Sequence, residues 1–462
     1  MEATGNALAG LAGEIEGQVV SAADTNWDEA RQAWNLMADQ RPAAVVLAAG
    51  ARDVAATVSR AKEAGLRVTG QGTGHGAVAM GHLADTVLVK TQGLTDIQID
   101  PDRGTATIGA GVIWRDLLNA ASPHKLAGMA GSSPDVGVVG YSLGGGLGWL
   151  GRRHGFACNR VAAATLVTAD GESRRVDPDS EPDLFWAIRG GGGSFGIVTE
   201  LELDMVPVGD VYAGSLILPA DDADQVREVF RAYRDWARQM PDEVTSIGRI
   251  ITPPPIPDVP EPLRGRTVIT LGLCFIGSAE EGRELVAPLR ELGEPIMDLI
   301  DTMPAAQLVT VHMDPEQPVP GLVEHTMLGE LEDDSIDAFV EAAGPGSESP
   351  LLFAELRHLG GAFGRAADDA GALSHLEGEF VLNAVGLPMA PEQIDPITQG
   401  LDDLCSTLEP WSNGGCYFNF AERPTEAARI FAADTLQRLS EIKSKWDPEG
   451  RIRANHEIPA MA

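Results

Sequence analysis

Four consecutive glycines, Gly190 to Gly193, stand between an aromatic-rich amphipathic stretch and a β-branched one in DLFWAIRGGGGSFGIVTEL, Asp183 to Leu201. Such a run admits positive φ and close backbone approach, so successive N–H groups can converge on a pyrophosphate without a basic side chain. A flexible linker is polar on both sides, whereas Leu184, Phe185, Trp186 and Ile188 precede this run and Phe195, Ile197 and Val198 follow it. The sequence therefore predicts a ligand-contacting turn held between two packed elements.

Two further glycine loops lie upstream: GQGTGHG, Gly70 to Gly76, entered from the apolar Leu66 to Val68, and YSLGGGLGWLGRRHG, Tyr141 to Gly155. Gly146 to Gly151 matches the dinucleotide fingerprint GxGxxG, and Asp170 follows at about the distance of a ribose-binding acid, roughly 20 residues. That fingerprint needs a strand before its first glycine and a long helix after its last. Here SSPDVGVVGYSL precedes it and Gly155 interrupts any helix. Asp170-Gly171 reads instead as a hairpin turn after ATLVTA. What remains is a dinucleotide held by several separate glycine loops.

The order of these segments carries a resemblance. NWDEARQAWN (Asn26 to Asn35) comes first, followed by RPAAVVLAAGARDVAATVSRAKEAGLRV and the His-containing glycine loop. SPDVGVVGYSLGGGLGWLGRRHG, ADGESRRV, DLFWAIRGGGGSFGIVT and KSKWDPEGRIRANHEI (Lys443 to Ile458) complete the series. The chain resembles the flavoprotein oxidases of the vanillyl-alcohol-oxidase superfamily, in the berberine-bridge-enzyme-like and 6-hydroxynicotine-oxidase-like branch. The resemblance implies an α+β fold, with a two-part FAD-binding domain and an antiparallel-sheet substrate domain covered by helices. It also implies FAD bonded covalently through His75. Carried over residue by residue, cofactor contacts are expected from Gln71, Gly72, Thr73, Gly74 and Gly76, and from Ser133, Val136, Gly137 and Gly140. Gly144, Gly145, Gly146 and Gly148 are expected to join them, as are Gly193, Gly196, Ile197, Val198 and Asn455.

Two departures from the family pattern matter. Relatives commonly show an R-S-G-G-H loop where this chain has Gln71-Gly72-Thr73-Gly74-His75, so the arginine contact is missing. The family's second attachment point is a cysteine in C-P-x-V-G, where this chain has Ser133-Pro134-Asp135-Val136-Gly137. A serine hydroxyl forms no thioether, which leaves His75 as the one expected link. The small Val136 implies access of O2 to the reduced flavin, hence an oxidase releasing H2O2. Its alternative role is core packing.

Charge narrows the partners. With 34 basic and 68 acidic residues, a formal net charge of -34 argues against nucleic acid or an anionic membrane and leaves a small-molecule substrate and O2. The four cysteines lack CxxC spacing, so neither a zinc site nor a disulfide framework is indicated and no metal is expected. No stretch approaches the roughly 20 apolar residues of a membrane helix, and the N-terminus lacks a basic signal region. A cytoplasmic location is the expectation.

The pattern along the chain suggests three parts: residues 1–206 for the FAD domain, 207–420 for an α+β substrate domain, and 421–462 returning to the FAD domain. In the second part, alternating strands such as LLFAELRHL and EFVLNAVGL are separated by acidic amphipathic helices. The extended PPPIPDVPEPL, Pro253 to Leu263, reads as a loop.

Enzymes of this kind remove a hydride from a C–H beside an O–H or N–H, with the protein supplying orientation and often a base. Period two puts Glu355 and Arg357 on one strand face, where they form either a proton acceptor with its orienting cation or a solvent-facing ion pair. Tyr417 and Asn419 in GGCYFNF share a face by the same rule. Relatives often carry Y-x-N-Y there with the last tyrosine as base, and Phe420 occupies that place. The sequence thus points to an FAD-linked oxidase acting on an alcohol, an amine or a secondary-metabolite intermediate. Glu355 is its expected base, unless the substrate is an amine already deprotonated. The alternatives are a dehydrogenase passing electrons to a non-oxygen acceptor and a flavin-binding protein without turnover.

Overall fold

Val54, Val58 and Ala61 recur at helical spacing and form the buried stripe of the helix Ala51–Glu63, one of the elements that cover the first sheet. In the computed structural model, which describes residue 8 and residues 10–461, that sheet has the order β1-β2-β4-β3. Its strands are β1 (Gln18–Val20), β2 (Ala44–Leu47), β3 (Arg67–Gln71) and β4 (Thr86–Lys90). β2, β4 and β3 run parallel, while β1 pairs antiparallel with β2. All five residues of β4 are buried, as expected of a strand covered on both faces.

The second sheet is antiparallel, with order β5-β6-β9-β7-β8. Its strands are β5 (Ile97–Asp100), β6 (Thr105–Gly109), β7 (Val161–Val167), β8 (Ser173–Val176) and β9 (Ile197–Asp204). Between β7 and β8 the chain turns at Asp170-Gly171, where Gly171 has φ +91° and an added Cβ would lie 2.2 Å from Ser59 Oγ. Asp170 receives hydrogen bonds from Arg174 and from the Glu172 amide. It is a turn residue, as the sequence reading expects. The sheets enclose a shared core with Trp114, Phe185 and Phe195.

The third sheet has eight strands: β10 (Asp210–Pro219), β11 (Val244–Ile251), β12 (Val268–Phe275), β13 (Met297–Asp298), β14 (Asp301–Pro304), β15 (Leu322–Leu328), β16 (Phe353–His358) and β17 (Phe380–Gly386). Their order is β13-β10-β12-β11-β16-β17-β15, with β14 also on β10, and every pairing is antiparallel. The helices Ala223–Ala237, Asp333–Ala343 and Ile394–Leu408 bury Phe230, Phe339 and Leu401 in one cluster with Leu356 and Leu382. Each side chain buried there contributes about 1.5–3 kcal/mol. Alternation then sends Glu355, Arg357 and Asn383 to the opposite face.

One expectation is corrected here. The stretch around Tyr417 is a 3₁₀ turn, Phe418–Phe420, preceded by extended chain, so period two does not place Tyr417 and Asn419. Among the described residues, no helix is long and apolar enough to cross a membrane.

The chain's end is fastened to the first two sheets. Ile452 bridges Val68 in parallel, and the Arg453 amide donates to Val68 O at 2.9 Å. Lys443, on the helix Ala433–Trp446, donates to Ser194 O at 2.6 Å, just past the glycine quartet.

Candidate active site

The glycine loops converge on a cavity of about 340 Å³. Gln71 to Gly76 reach it from the turn after β3, and Ser133, Val136, Gly137 and Gly140 from around the start of the short helix Val138–Leu143. Gly193, Gly196, Ile197 and Val198 line it at the start of β9, and Asn455 at the chain's end. At Gly140 and Gly193 an added Cβ would meet nothing within 4 Å. There bare backbone forms the wall.

The quartet itself differs from the expected row of free amides. Gly190 and Gly192 each donate to Leu143 O at 3.0 Å, and Gly191 donates to Ala187 O at 3.1 Å. The Gly191 amide thus closes the end of the helix Pro182–Ile188, and those of Gly190 and Gly192 close the end of Val138–Leu143 at Leu143, because orphan carbonyls at a helix end need donors. Gly193 N–H remains for a ligand.

Four other glycines stand behind the wall. Gly144, Gly145, Gly146 and Gly148 do not line the cavity. An added Cβ at Gly144 would come 1.9 Å from Asn419 Oδ1, and at Gly146 2.5 Å from Tyr141 and from Ala157; at Gly148 it would lie 2.2 Å from Ala130 O. At Gly145 it would lie 3.3 Å from Tyr417 Oη. Their bareness lets Tyr417, Asn419 and Tyr141 pack against this loop. The expectation that these four touch the cofactor is replaced by that packing role.

His75 is held on three sides. Thr73 Oγ1 lies 2.8 Å from Nδ1, and Trp34 stacks on the ring at 4.0 Å between centroids and 17°. Asp135 Oδ1 lies 3.5 Å from Nε2, which has no hydrogen-bond partner. The same carboxylate accepts from Trp34 Nε1 at 2.5 Å and from Ser133 Oγ at 3.1 Å. Burial alone raises the Asp135 carboxyl, but His75, Trp34 and Ser133 outweigh it and hold it below its ordinary value. Sequence reading missed Trp34 and Asp135, although both stand inside quoted motifs.

Across the cavity is the third sheet, where register builds a polar row: Thr270 on β12, Arg249 on β11, Glu355 on β16, Asn383 on β17 and His325 on β15. Glu355 is fully buried and absent from the cavity wall. It accepts from His312 Nε2 at 2.7 Å, from Arg357 Nε at 2.6 Å and from Asn383 Nδ2 at 3.0 Å. Burial pushes its carboxyl up, but Arg357 and His312 prevail and hold it well below the carboxylate range. Glu355 as the substrate's base is therefore replaced: Arg357 stands between it and the cavity. No motif pointed to His312, which Asp314 also contacts through Nδ1.

That placement makes Glu355→Gln chiefly a stability change. Removing one member of a buried ion pair costs about 3–5 kcal/mol. The deficit is expected in full at neutral pH, because a depressed carboxylate contributes above its unfolded value of about 4.3, and it shrinks as pH falls through the folded value. Denaturant midpoints across pH test this. A variant as stable as the parent, yet slower in flavin reduction by about 100-fold, would restore Glu355 as a base.

Tyr417 and Asn419 do reach the cavity wall. Tyr417 Oη accepts from Gly146 N–H at 2.9 Å, and Asn419 donates to Tyr141 O at 2.9 Å. Burial raises the Tyr417 phenol above its ordinary range, so it stays protonated. The Tyr417 amide donates to His325 Nε2 at 2.9 Å, which fixes the turn to β15. Phe420 also lines the cavity, its ring 5.0 Å from the Arg357 guanidinium.

Residues 42–177 match a family model described as an FAD binding domain. The (R)-6-hydroxynicotine oxidase of Paenarthrobacter nicotinovorans is 26% identical over 96% of this chain and 97% of its own length. The chain is an FAD-linked oxidoreductase, and along nearly its whole length it resembles the vanillyl-alcohol-oxidase superfamily. Within that superfamily, the likeness is to the berberine-bridge-enzyme-like and 6-hydroxynicotine-oxidase-like branch. Solved structures share its fold. A berberine-bridge-enzyme-like protein of Physcomitrella patens superposes with TM-score 0.85 at 22% identity, over 99% of both chains. The glucooligosaccharide oxidase of Acremonium strictum, described with a 6-S-cysteinyl, 8α-N1-histidyl FAD, gives 0.81 at 24% identity over 99% of both chains.

The residues of the oxidoreductase fit FAD. Among the described residues, its cavity has a side-chain-free floor at Gly140 and Gly193, a Gly193 amide that donates to no protein acceptor and a His75 Nε2 without a hydrogen-bond partner. Among the described residues, no Asp or Glu lines it to repel a pyrophosphate.

Proposed function

We propose that the protein is an FAD-dependent oxidase acting on a small organic substrate, with the flavin held covalently through His75 alone. His75 carries this reading: it reaches the cavity from the glycine loop with its ring clamped by Trp34 and Thr73 and one nitrogen unpartnered. Ser133, where a second link would form, offers a hydroxyl that is engaged with Asp135. The relative with two links, to cysteine and histidine, supports the histidine half of this assignment.

When bound, the flavin supplies the hydride acceptor and returns the electrons to O2 as H2O2. The chain's own residues orient and enclose. Gln71 to Gly76 and Gly193 hold the cofactor's side of the cavity, while Arg357, Tyr417, Asn419 and Phe420 form the substrate's side. Tyr417, protonated and bound to Gly146, positions the turn that carries Asn419 and Phe420. Val136 keeps a small side chain at the wall, which supports oxygen over another acceptor.

Oxygen reactivity is the test. Protein reduced under nitrogen with dithionite and then mixed with air is expected to recover its yellow absorbance within seconds and to form peroxide. A bleached flavin that persists for minutes in air would assign the protein to the dehydrogenases.

A further inference from the structure

Among the described residues, no carboxylate lines the cavity, in a chain with 68 acidic residues and a net charge of -34. Its ionisable side chains are His75, Tyr141, Tyr417, Arg357 and Arg453. A buried ammonium needs a paired anion, because an unpaired ion out of water loses several kcal/mol of solvation. This wall offers none.

It offers donors instead. Arg357 is gripped from behind, its Nε bound to Glu355 Oε1 at 2.6 Å. Among the described residues, its two terminal nitrogens donate to no protein acceptor, and the side chain lines the cavity. Arg453, the other cavity arginine, is by contrast occupied with Met80 O, Asp85 and Glu457. Tyr141 adds a hydroxyl that is buried without a partner. The edge of Trp114, 5.4 Å away at 84°, keeps its ring in place. Gly131 lines the cavity with Tyr141 and Arg357, and a Cβ there would come 3.2 Å from Tyr141 Oη. Behind Arg357, the charges of Glu355 and Asp314 are balanced by Arg357 and Arg249, so the cluster adds no net negative field with His312 neutral or protonated.

We propose that the substrate is recognised through an oxyanion, a carboxylate or an ionised enol or phenol, received between the Arg357 guanidinium and the Tyr141 hydroxyl. This deepens the oxidase reading and rests on it. An ionised enol or phenol arrives with its proton already gone, which suits a wall where Phe420 replaces a phenol and Glu355 is sealed off. Cationic amines are disfavoured by the same wall.

The test is titration of the flavin-loaded protein with benzoate, 4-cyanophenolate and benzylamine, followed by perturbation of the flavin spectrum. Benzoate or 4-cyanophenolate is expected to bind, the stronger of the two identifying the kind of oxyanion, and benzylamine to bind more weakly than either. A hydrogen bond to a charged group is worth about 10- to 100-fold in affinity. Tyr141→Phe is therefore expected to weaken the anion by about 10-fold, and Arg357→Met by about 100-fold. Because Arg357→Met orphans a buried carboxylate, the paired change Arg357→Met with Glu355→Gln serves as its folded control and should show the same loss. Tighter binding of benzylamine, or anion affinity unchanged in both Tyr141→Phe and the paired variant, overturns the proposal. Yellow protein that ignores both anions overturns it alone, whereas protein without flavin overturns the oxidase reading as well.

Discussion

Asp447→Ala is expected to cost about 3–5 kcal/mol of folding stability and to release the end of the chain from the cofactor cavity. Asp447 is 1% exposed. Its Oδ2 accepts from Lys443 Nζ at 2.6 Å and from Ile452 N–H at 2.8 Å, and its Oδ1 from Arg451 N–H at 2.8 Å. Lys443 carries the strain of its loss, being 3% exposed and left with two carbonyls, Ser194 O and Ile452 O. Because Arg453, Ala454 and Asn455 line the cavity directly after this clamp, the same change should loosen the cofactor's surroundings. Thermal melting followed by flavin fluorescence reads both effects. Replacing Lys443 and Asp447 together by Met and Leu should recover part of the loss, since no charge is then orphaned. An Asp447→Ala protein that melts within about 0.5 kcal/mol of the parent, the range of surface changes, would show that the clamp is ornamental.

The cofactor half of the site was legible in the sequence, and the substrate half only in part. Glycine loops announce themselves, because a position needing bare backbone admits one residue type; Gly140 and Gly193, expected to touch the cofactor, line the cavity. The same signal over-reached at Gly144, Gly145, Gly146 and Gly148, where bareness serves packing against Asn419, Tyr417, Tyr141 and Ala130. A missing side chain says that something comes close. It does not say what.

On the third sheet, alternation correctly paired Glu355 with Arg357 on one face. It gave no depth along that face. Which of the two meets the cavity depends on Arg249 and Asn383, cross-strand neighbours fixed by register, and on His312, which arrives from a loop beyond the 3₁₀ turn Ala305–Thr310. Trp34 was hidden for a similar reason: its stack on His75 joins two loops distant in sequence.

The attachment of flavin at His75 is the central claim, and its loss is the largest single effect expected. The ring is already confined by Trp34, Thr73 and Asp135, and no cysteine stands in the Ser133 position to hold the flavin in its stead. His75→Ala removes the nitrogen while the glycine floor remains, so FAD should still bind without a bond. The decisive measurement is the intact mass of the denatured chain, for the parent and for His75→Ala. The parent should be heavier than its sequence by one FAD, with the added mass on the peptide bearing His75, and the variant should show the bare chain. A parent at its bare mass, or a variant that retains the added FAD, would contradict the account.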